Sequence, residues 1–153
     1  MDIEIRQVKG QKLDWAAALM ASSDPWLTLG VTLEKCKKMF TEKENLFFVA
    51  YLSQVPCGLM VLQDKGVAGS PYIKSLVLEP AFRNRGIGKL MLDFAEEKYR
   101  HHSRYLFLCV SSFNQSARKF YEFHGFKLVG ILKDYLVEGY DEWLMHKRLK
   151  RDE

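Results

Sequence analysis

The segment Arg83-Asn84-Arg85-Gly86-Ile87-Gly88-Lys89 gathers two glycines and three cations within seven residues. It follows the apolar stretch Leu76-Val77-Leu78 and leads into an amphipathic one. Where a strand turns into a helix, successive backbone N–H groups have no intrahelical partner. Together with the helix dipole they bind anions, and glycine lets a phosphate approach the main chain closely. Arg83, Arg85 and Lys89 add positive charge, so the chemistry expected is the holding of a diphosphate. Two well-known phosphate loops do not fit. A P-loop needs Gly, four residues, then Gly-Lys-Ser/Thr, but Leu90 follows Gly88-Lys89 and Arg stands at 83. The dinucleotide fingerprint needs three glycines, and Met91 occupies the third place. A tight turn opening a core helix is the plainer alternative for Gly-x-Gly alone.

A second cluster lies downstream, in Asn114-Gln115-Ser116-Ala117-Arg118-Lys119-Phe120-Tyr121-Glu122-Phe123-His124-Gly125-Phe126. Asn114 can cap a helix or hydrogen-bond the amides of a ligand. Ala117, Phe120, Tyr121 and His124 share one helical face, which makes Tyr121 either a core aromatic or a proton donor. Cys109 sits in an apolar stretch with no nearby histidine or cation in sequence, which favours an inert core thiol over a nucleophile.

The elements that must position these groups follow from periodicity. Ile3 and Ile5 alternate with charges as in a half-buried strand. Leu13, Ala16, Ala17 and Met20 mark a first helix ending near Ser22-Ser23-Asp24-Pro25. Thr32 caps a second, with Leu33, Cys36 and Phe40 on one face. Strands are expected over 46–52 and 58–62, joined by a turn at Gln54-Val55-Pro56, and over 73–78. Ile87, Leu90, Met91, Phe94, Ala95 and Tyr99 trace the inner face of a long helix. The run Tyr105 to Val110 reads as a strand buried on both faces. A helix over 115–124 ends at Gly125, and strands over 126–132 and 143–149 close the chain. The order β-α-α-β-β-β-α-β-α-β-β predicts an α/β (α+β) domain spanning 1–153, a mixed sheet of six to seven strands with helices on both faces. The strand–helix–strand unit from 73 to 110 should be a right-handed parallel crossover.

Composition narrows the classes. The 153 residues suit one domain, and 48% apolar with 27% charged residues is the balance of a soluble globular protein. No apolar run approaches the roughly 20 residues that span a bilayer. The charged, alternating start Met1-Asp2-Ile3-Glu4-Ile5-Arg6 is not a secretory signal, so a cytoplasmic protein is expected. Three scattered cysteines and four histidines offer no ligand spacing, and no metal is expected. The net charge of +4 suits an anionic ligand. Without a basic stripe interleaved with aromatics, nucleic-acid binding through the loop and the tail Lys147-Arg148-Leu149-Lys150-Arg151 is not expected.

Both clusters resemble motifs of the GNAT acetyltransferases. Arg83, Gly86 and Gly88 match [Arg/Gln]-x-x-Gly-x-[Gly/Ala], with Pro80 at the usual place. Asn114, Ala117, Tyr121, Gly125 and Phe126 match Asn-x-x-Ala-x-x-x-Tyr-x-x-x-Gly-Phe. The resemblance is close over about 73–126 and holds only in outline elsewhere. It implies an N-acetyltransferase with acetyl-CoA as co-substrate and a primary amine, a small molecule or a peptide N-terminus, as acceptor. Residues 83–89 would hold the diphosphate, that is Arg83, Asn84, Arg85, Gly86, Ile87, Gly88 and Lys89. Leu76, Val77 and Leu78 would pair with pantetheine as a pseudo-strand and polarise the thioester carbonyl. Asn114, Ala117, Phe120 and Tyr121 would line the cofactor, with Tyr121 as general acid. Family members often pair, so a homodimer is within what the resemblance implies; no nucleic acid and no membrane are.

The general base is where the sequence departs from the pattern. Positions that carry a glutamate in some family members hold Cys109 and the residues Tyr72, Ile73 and Lys74. Glu79, Asp24, Asp134, Glu138 or a water chain are the remaining candidates. The acceptor side would be shaped by Asp24 and Trp26 after the first helix and by residues 133–142, which include Asp134, Tyr135, Glu138 and Tyr140. One lysine and four carboxylates give that second segment a charge of −3, attractive to a cationic amine. Aromatics there offer cation–π contact, or simply cover the core. A CoA-binding module without turnover is the alternative that the missing base suggests.

Overall fold

The computed structural model describes residues 2–151. Seven strands form one sheet: β1 (Ile3–Val8), β2 (Leu46–Leu52), β3 (Val55–Val67), β4 (Ser70–Leu78), β5 (Tyr105–Ser111), β6 (Lys127–Leu132) and β7 (Glu142–Arg148). Their order across the sheet is β1-β2-β3-β4-β5-β7-β6, antiparallel except for β4 and β5. The helices are α1 (Asp14–Ala21), α2 (Trp26–Leu29), α3 (Leu33–Met39), α4 (Ile87–Tyr99) and α5 (Gln115–Phe123). Both faces are covered. On one, Ala16, Ala17, Met20, Cys36 and Met39 pack against Phe47, Val49, Leu59, Val61 and Val77. On the other, Ile87, Met91, Leu92, Ala95 and Tyr121 pack against Phe48, Met60, Leu62, Leu106, Leu108 and Met145.

The expected order holds, with local differences. The β2–β3 turn is at Ser53-Gln54, both at positive φ, so Val55 and Pro56 already belong to β3. β3 and β4 are longer than expected and meet at a second two-residue turn, Ala68-Gly69, also at positive φ. Such turns match the twist of antiparallel strands. The short α2 fills the segment after Asp24-Pro25, where the sequence suggested only a helix end. On α4 the inward residue is Leu92 rather than Leu90, which faces solvent. Leu33 is likewise exposed. The expectation of a β5 buried on both faces is corrected: Leu106, Leu108 and Val110 are buried, while Tyr105, Phe107 and Cys109 are only half-buried. The helices α1 and α3 cover β2–β4 but do not reach over β5.

One irregularity in β4 has large consequences. Val61 pairs with Ser75 and Leu62 with Ile73, so Lys74 is an extra residue, a β-bulge. The bulge reverses the alternation: Ile73 joins the core under α4, whereas Val77 joins the core under α1 and α3. It falls where β4 and β5 stop pairing. Their parallel ladder comprises Tyr72↔Phe107 and Ile73↔Leu108, after which the two strands part.

Phe126 anchors the far end of α5. It is 2% exposed, its N–H donates to the Tyr121 carbonyl at 3.0 Å, and its ring lies 5.8 Å from that of Tyr121. Phe126→Ala should lower unfolding free energy by about 3–5 kcal/mol, the usual cost of emptying a buried phenylalanine site; chemical denaturation followed by fluorescence measures it.

Candidate active site

The loop over 83–89 is built as its residues require. A 3-10 turn at Pro80–Phe82 closes β4, and the Glu79 N–H donates to the Cys57 carbonyl at 2.8 Å. Asn84 and Gly86 both adopt positive φ, at 60° and 84°. Gly86 is the N-cap of α4, and the helical ladder begins with Leu90 N–H donating to the Gly86 carbonyl. The amides of residues 86–89 are therefore outside the ladder. No atom lies within 4 Å of where a Gly86 Cβ would stand, so the space before them is open. Gly88 is different: a Cβ there would meet the Phe120 ring at 3.0 Å, which fixes the spacing between the loop and α5.

The three loop cations are placed differently from one another. Arg83 Nε donates to the Leu78 carbonyl at 3.1 Å and its Nη2 to Ser23 Oγ at 3.3 Å, tying the loop to the strand end and to the start of the α1–α2 link. Arg85 lies over the Phe82 ring at 5.5 Å. Lys89 pairs with Asp93 at 2.7 Å on the exposed face of α4.

Beyond the last β4–β5 pair the sheet opens into a cleft of about 730 Å³. Leu76 lines it from β4, Cys109, Val110 and Ser111 from β5, and Asn114, Ala117 and Tyr121 from α5. On β4, the edge that β5 would otherwise occupy is left without a strand partner over residues 74–78. Asn114 caps α5, accepting from the Ala117 N–H at 3.4 Å. Val77 turns to the opposite core, and Phe120 packs edge-on against Tyr121 and His124. Tyr121 is buried, and that burial raises its hydroxyl well above the usual tyrosine range. It therefore stays protonated at neutral pH and available as a donor.

The cleft continues towards α2 and the β6–β7 loop, where Asp24, Trp26 and Tyr135 line it. The Asp24 carboxylate accepts from the backbone N–H and hydroxyl of Thr28 in α2. The other acidic candidates lie elsewhere. Asp134 holds its own loop together by accepting from the Gly139 N–H at 2.7 Å, and Glu138 is exposed outside the cleft. Glu79 accepts from the Trp15 indole at 2.6 Å, and Tyr140 packs edge-on against Phe113.

Two cleft residues escape sequence reasoning. Tyr72 lines the cleft beside Cys109, across the last β4–β5 pair. Burial first, then this neighbour, raises the tyrosine; burial also raises Cys109, which keeps the thiol protonated and agrees with an inert role. The second is Glu142, 4% exposed, whose carboxylate accepts from the Ser111 hydroxyl at 2.6 Å. In sequence it is one of four carboxylates in a charged run; only the pairing Ser111↔Glu142 carries it inside. Among the described residues no group of His, Cys, Asp or Glu could hold a metal ion, and no helix is long and apolar enough to cross a membrane.

The overall fold agrees with comparisons to known proteins. In overall fold the chain is similar to Ard1 from Thermoplasma volcanium, at a TM-score of 0.78 and 20% identity over 99% of this chain and 100% of that one. It is similar to a GNAT family acetyltransferase from Elizabethkingia anophelis with acetyl-CoA bound, at 0.76 and 19% over 96% and 98%. A third similar structure is the ribosomal-protein-S18-alanine N-acetyltransferase from Escherichia coli, at 0.73 and 18% over 99% and 97%. The model of the acetyltransferase (GNAT) family matches residues 12–126, a span that holds the loop, the parted strands and α5. The chain belongs to the acetyltransferase (GNAT) family.

Proposed function

We propose that this chain, acting as one domain over 1–153, transfers the acetyl group of acetyl-CoA to a primary amine in a ternary complex. The observation that carries the reading is the gap between β4 and β5, which leaves β4 without a strand partner past Ile73, where residues 74–76 face a cleft lined by Tyr121. An extended pantetheine with two amides fits such an edge as an added strand. The diphosphate then falls to the amides of residues 86–89, with Arg85 and Lys89 near and Arg83 bracing the loop. A main-chain N–H of Val77 or Leu78 would polarise the thioester carbonyl, as in an oxyanion hole. The neutral amine attacks the carbonyl carbon, the C–N bond forms, and the C–S bond breaks. Tyr121 gives its proton to the leaving thiolate. Burial raises both groups together, because a thiolate formed in the same cleft is also poorly solvated.

The acceptor is read as cationic from Asp24, Trp26 and Tyr135 at the cleft mouth. Three unpaired cysteines fit a reducing compartment, in keeping with the cytoplasm. Thiol release from acetyl-CoA is to be followed across polyamines, aminoglycosides, amino acids and peptide N-termini, including alanine-initiated peptides. Turnover with one class is expected; tight acetyl-CoA binding with no turnover on any amine would instead favour a binding module.

Two substitutions test the roles separately. Tyr121→Phe should lower kcat by roughly 10²-fold or more while acetyl-CoA affinity stays nearly constant; a large loss of affinity would return Tyr121 to a packing role. Gly86→Glu should abolish acetyl-CoA binding in calorimetry by placing a carboxylate in the diphosphate space. Gly86→Ala carries the same positive-φ strain without the charge and should still bind.

A further inference from the structure

The family motifs leave the amine's proton without an acceptor, and the cleft contains a carboxylate that no comparison assigns. We propose that Glu142, the first residue of β7, receives the acceptor's ammonium group and takes its proton; this rests on the acetyl-transfer reading above.

The position follows from register. Leu106, Leu108 and Val110 of β5 pack under α4, so Cys109 and Ser111 face the other side of the sheet. Glu142 pairs with Ser111 and shares that side, the one that α1 and α3 leave uncovered at β5. Both residues line the same cleft as Tyr121, but from the face opposite α5. A thioester threaded between β4 and β5 would therefore have the proton donor on one side and the carboxylate on the other. The amine must attack from the side away from the leaving group's helix, which is where Glu142 lies.

The chemistry of the pocket suits a base. Ser111 satisfies one oxygen, Oε2, and holds the side chain in place. Buried carboxylates normally have a cation or several donors. The cleft that Glu142 lines also holds Ser111 and Cys109 from β5, Tyr72 and Lys74 from β4, Tyr135 from the β6–β7 loop and, on the opposite face, Tyr121 from α5. Arg118 of α5 is committed to the Ser112 carbonyl at 2.7 Å and to the face of Trp143 at 3.8 Å. Tyr72 stands beside Cys109 and makes no hydrogen bond to the carboxylate. Lys74 lines the cleft without an ion pair to Glu142, so a bound ammonium would supply the missing partner. Burial raises the Glu142 carboxyl above the usual range, with the Ser111 bond opposing it, which moves it towards the proton affinity a base needs near neutral pH.

The proton count closes. One ammonium proton passes to Glu142 and on to solvent, freeing the lone pair for attack. The second N–H proton, lost as the tetrahedral intermediate collapses, replaces the one that Tyr121 gives to the thiolate. The products are the amide, the free thiol and one proton in solution.

The test is the pH dependence of kcat/KM for the best amine of the panel, with acetyl-CoA affinity measured in parallel. The wild type should reach a plateau below the pKa of the free amine. Glu142→Gln should bind acetyl-CoA normally, lose roughly 10²- to 10⁴-fold in kcat, and rise with pH up to the amine's own pKa. Ser111→Ala keeps the carboxylate but removes the bond that favours its charged form, so its acid limb should move to higher pH; this variant decides the matter if Glu142→Gln does not fold. Unaltered profiles in both variants, beside a fully active wild type, would overturn the role of Glu142 and leave acetyl transfer intact. No turnover by the wild type on any amine would overturn both.

Discussion

Two parallel strands that pair for two residues and then separate set the terms for everything else in this molecule. A central strand in a sheet normally spends its main-chain hydrogen bonds on both neighbours. Past Ile73, β4 has β3 on one edge and no strand on the other. The bulge at Lys74 adds local twist where the strands part, and the packing layers change over at the same point. The result is a slot with polar edges and apolar walls. Such a slot suits an elongated ligand with amides along its length and resists collapse, because each side is anchored in its own core.

The slot also joins two environments. On the α4–α5 side, apolar packing keeps Tyr121 neutral and holds it against Phe120 and Phe126. On the other side, the helices stop short of β5, and Cys109, Ser111, Tyr72 and Glu142 make a small polar chamber. Burial raises the proton affinity of the acids in both places, yet to different ends. It keeps a tyrosine hydroxyl protonated, and it raises the proton affinity of a carboxyl. A thioester between them would meet a donor and an acceptor on opposite faces without either neutralising the other.

Much of this was readable along the chain because it depends on neighbours in sequence. Gly86 at positive φ, the cap at Asn114 and the spacing from Ala117 to Tyr121 are local facts of one turn or one helix. The same holds for the alternation of β1 and the order of the elements. Reading failed where a residue's environment is set by a distant partner. Leu90 and Leu92 are near-equal choices for the inner face of α4, and only the position of the sheet decides between them. The segment over 133–142 reads as a uniform acidic rim, although Asp134 serves its own loop, Glu138 is in solvent and Glu142 is inside.

By itself, then, the chain's sequence determined its glycine loop at the head of α4, the capped helix α5 and the succession of strands and helices, since hydrophobic period, glycine placement and capping act over a few residues. The tertiary structure alone decided where the sheet opens and which carboxylate it encloses. Those outcomes come from cross-strand register, and register joins residues such as Ser111 and Glu142 that are 31 positions apart. A one-residue change in pairing would turn that carboxylate to the other face of the sheet.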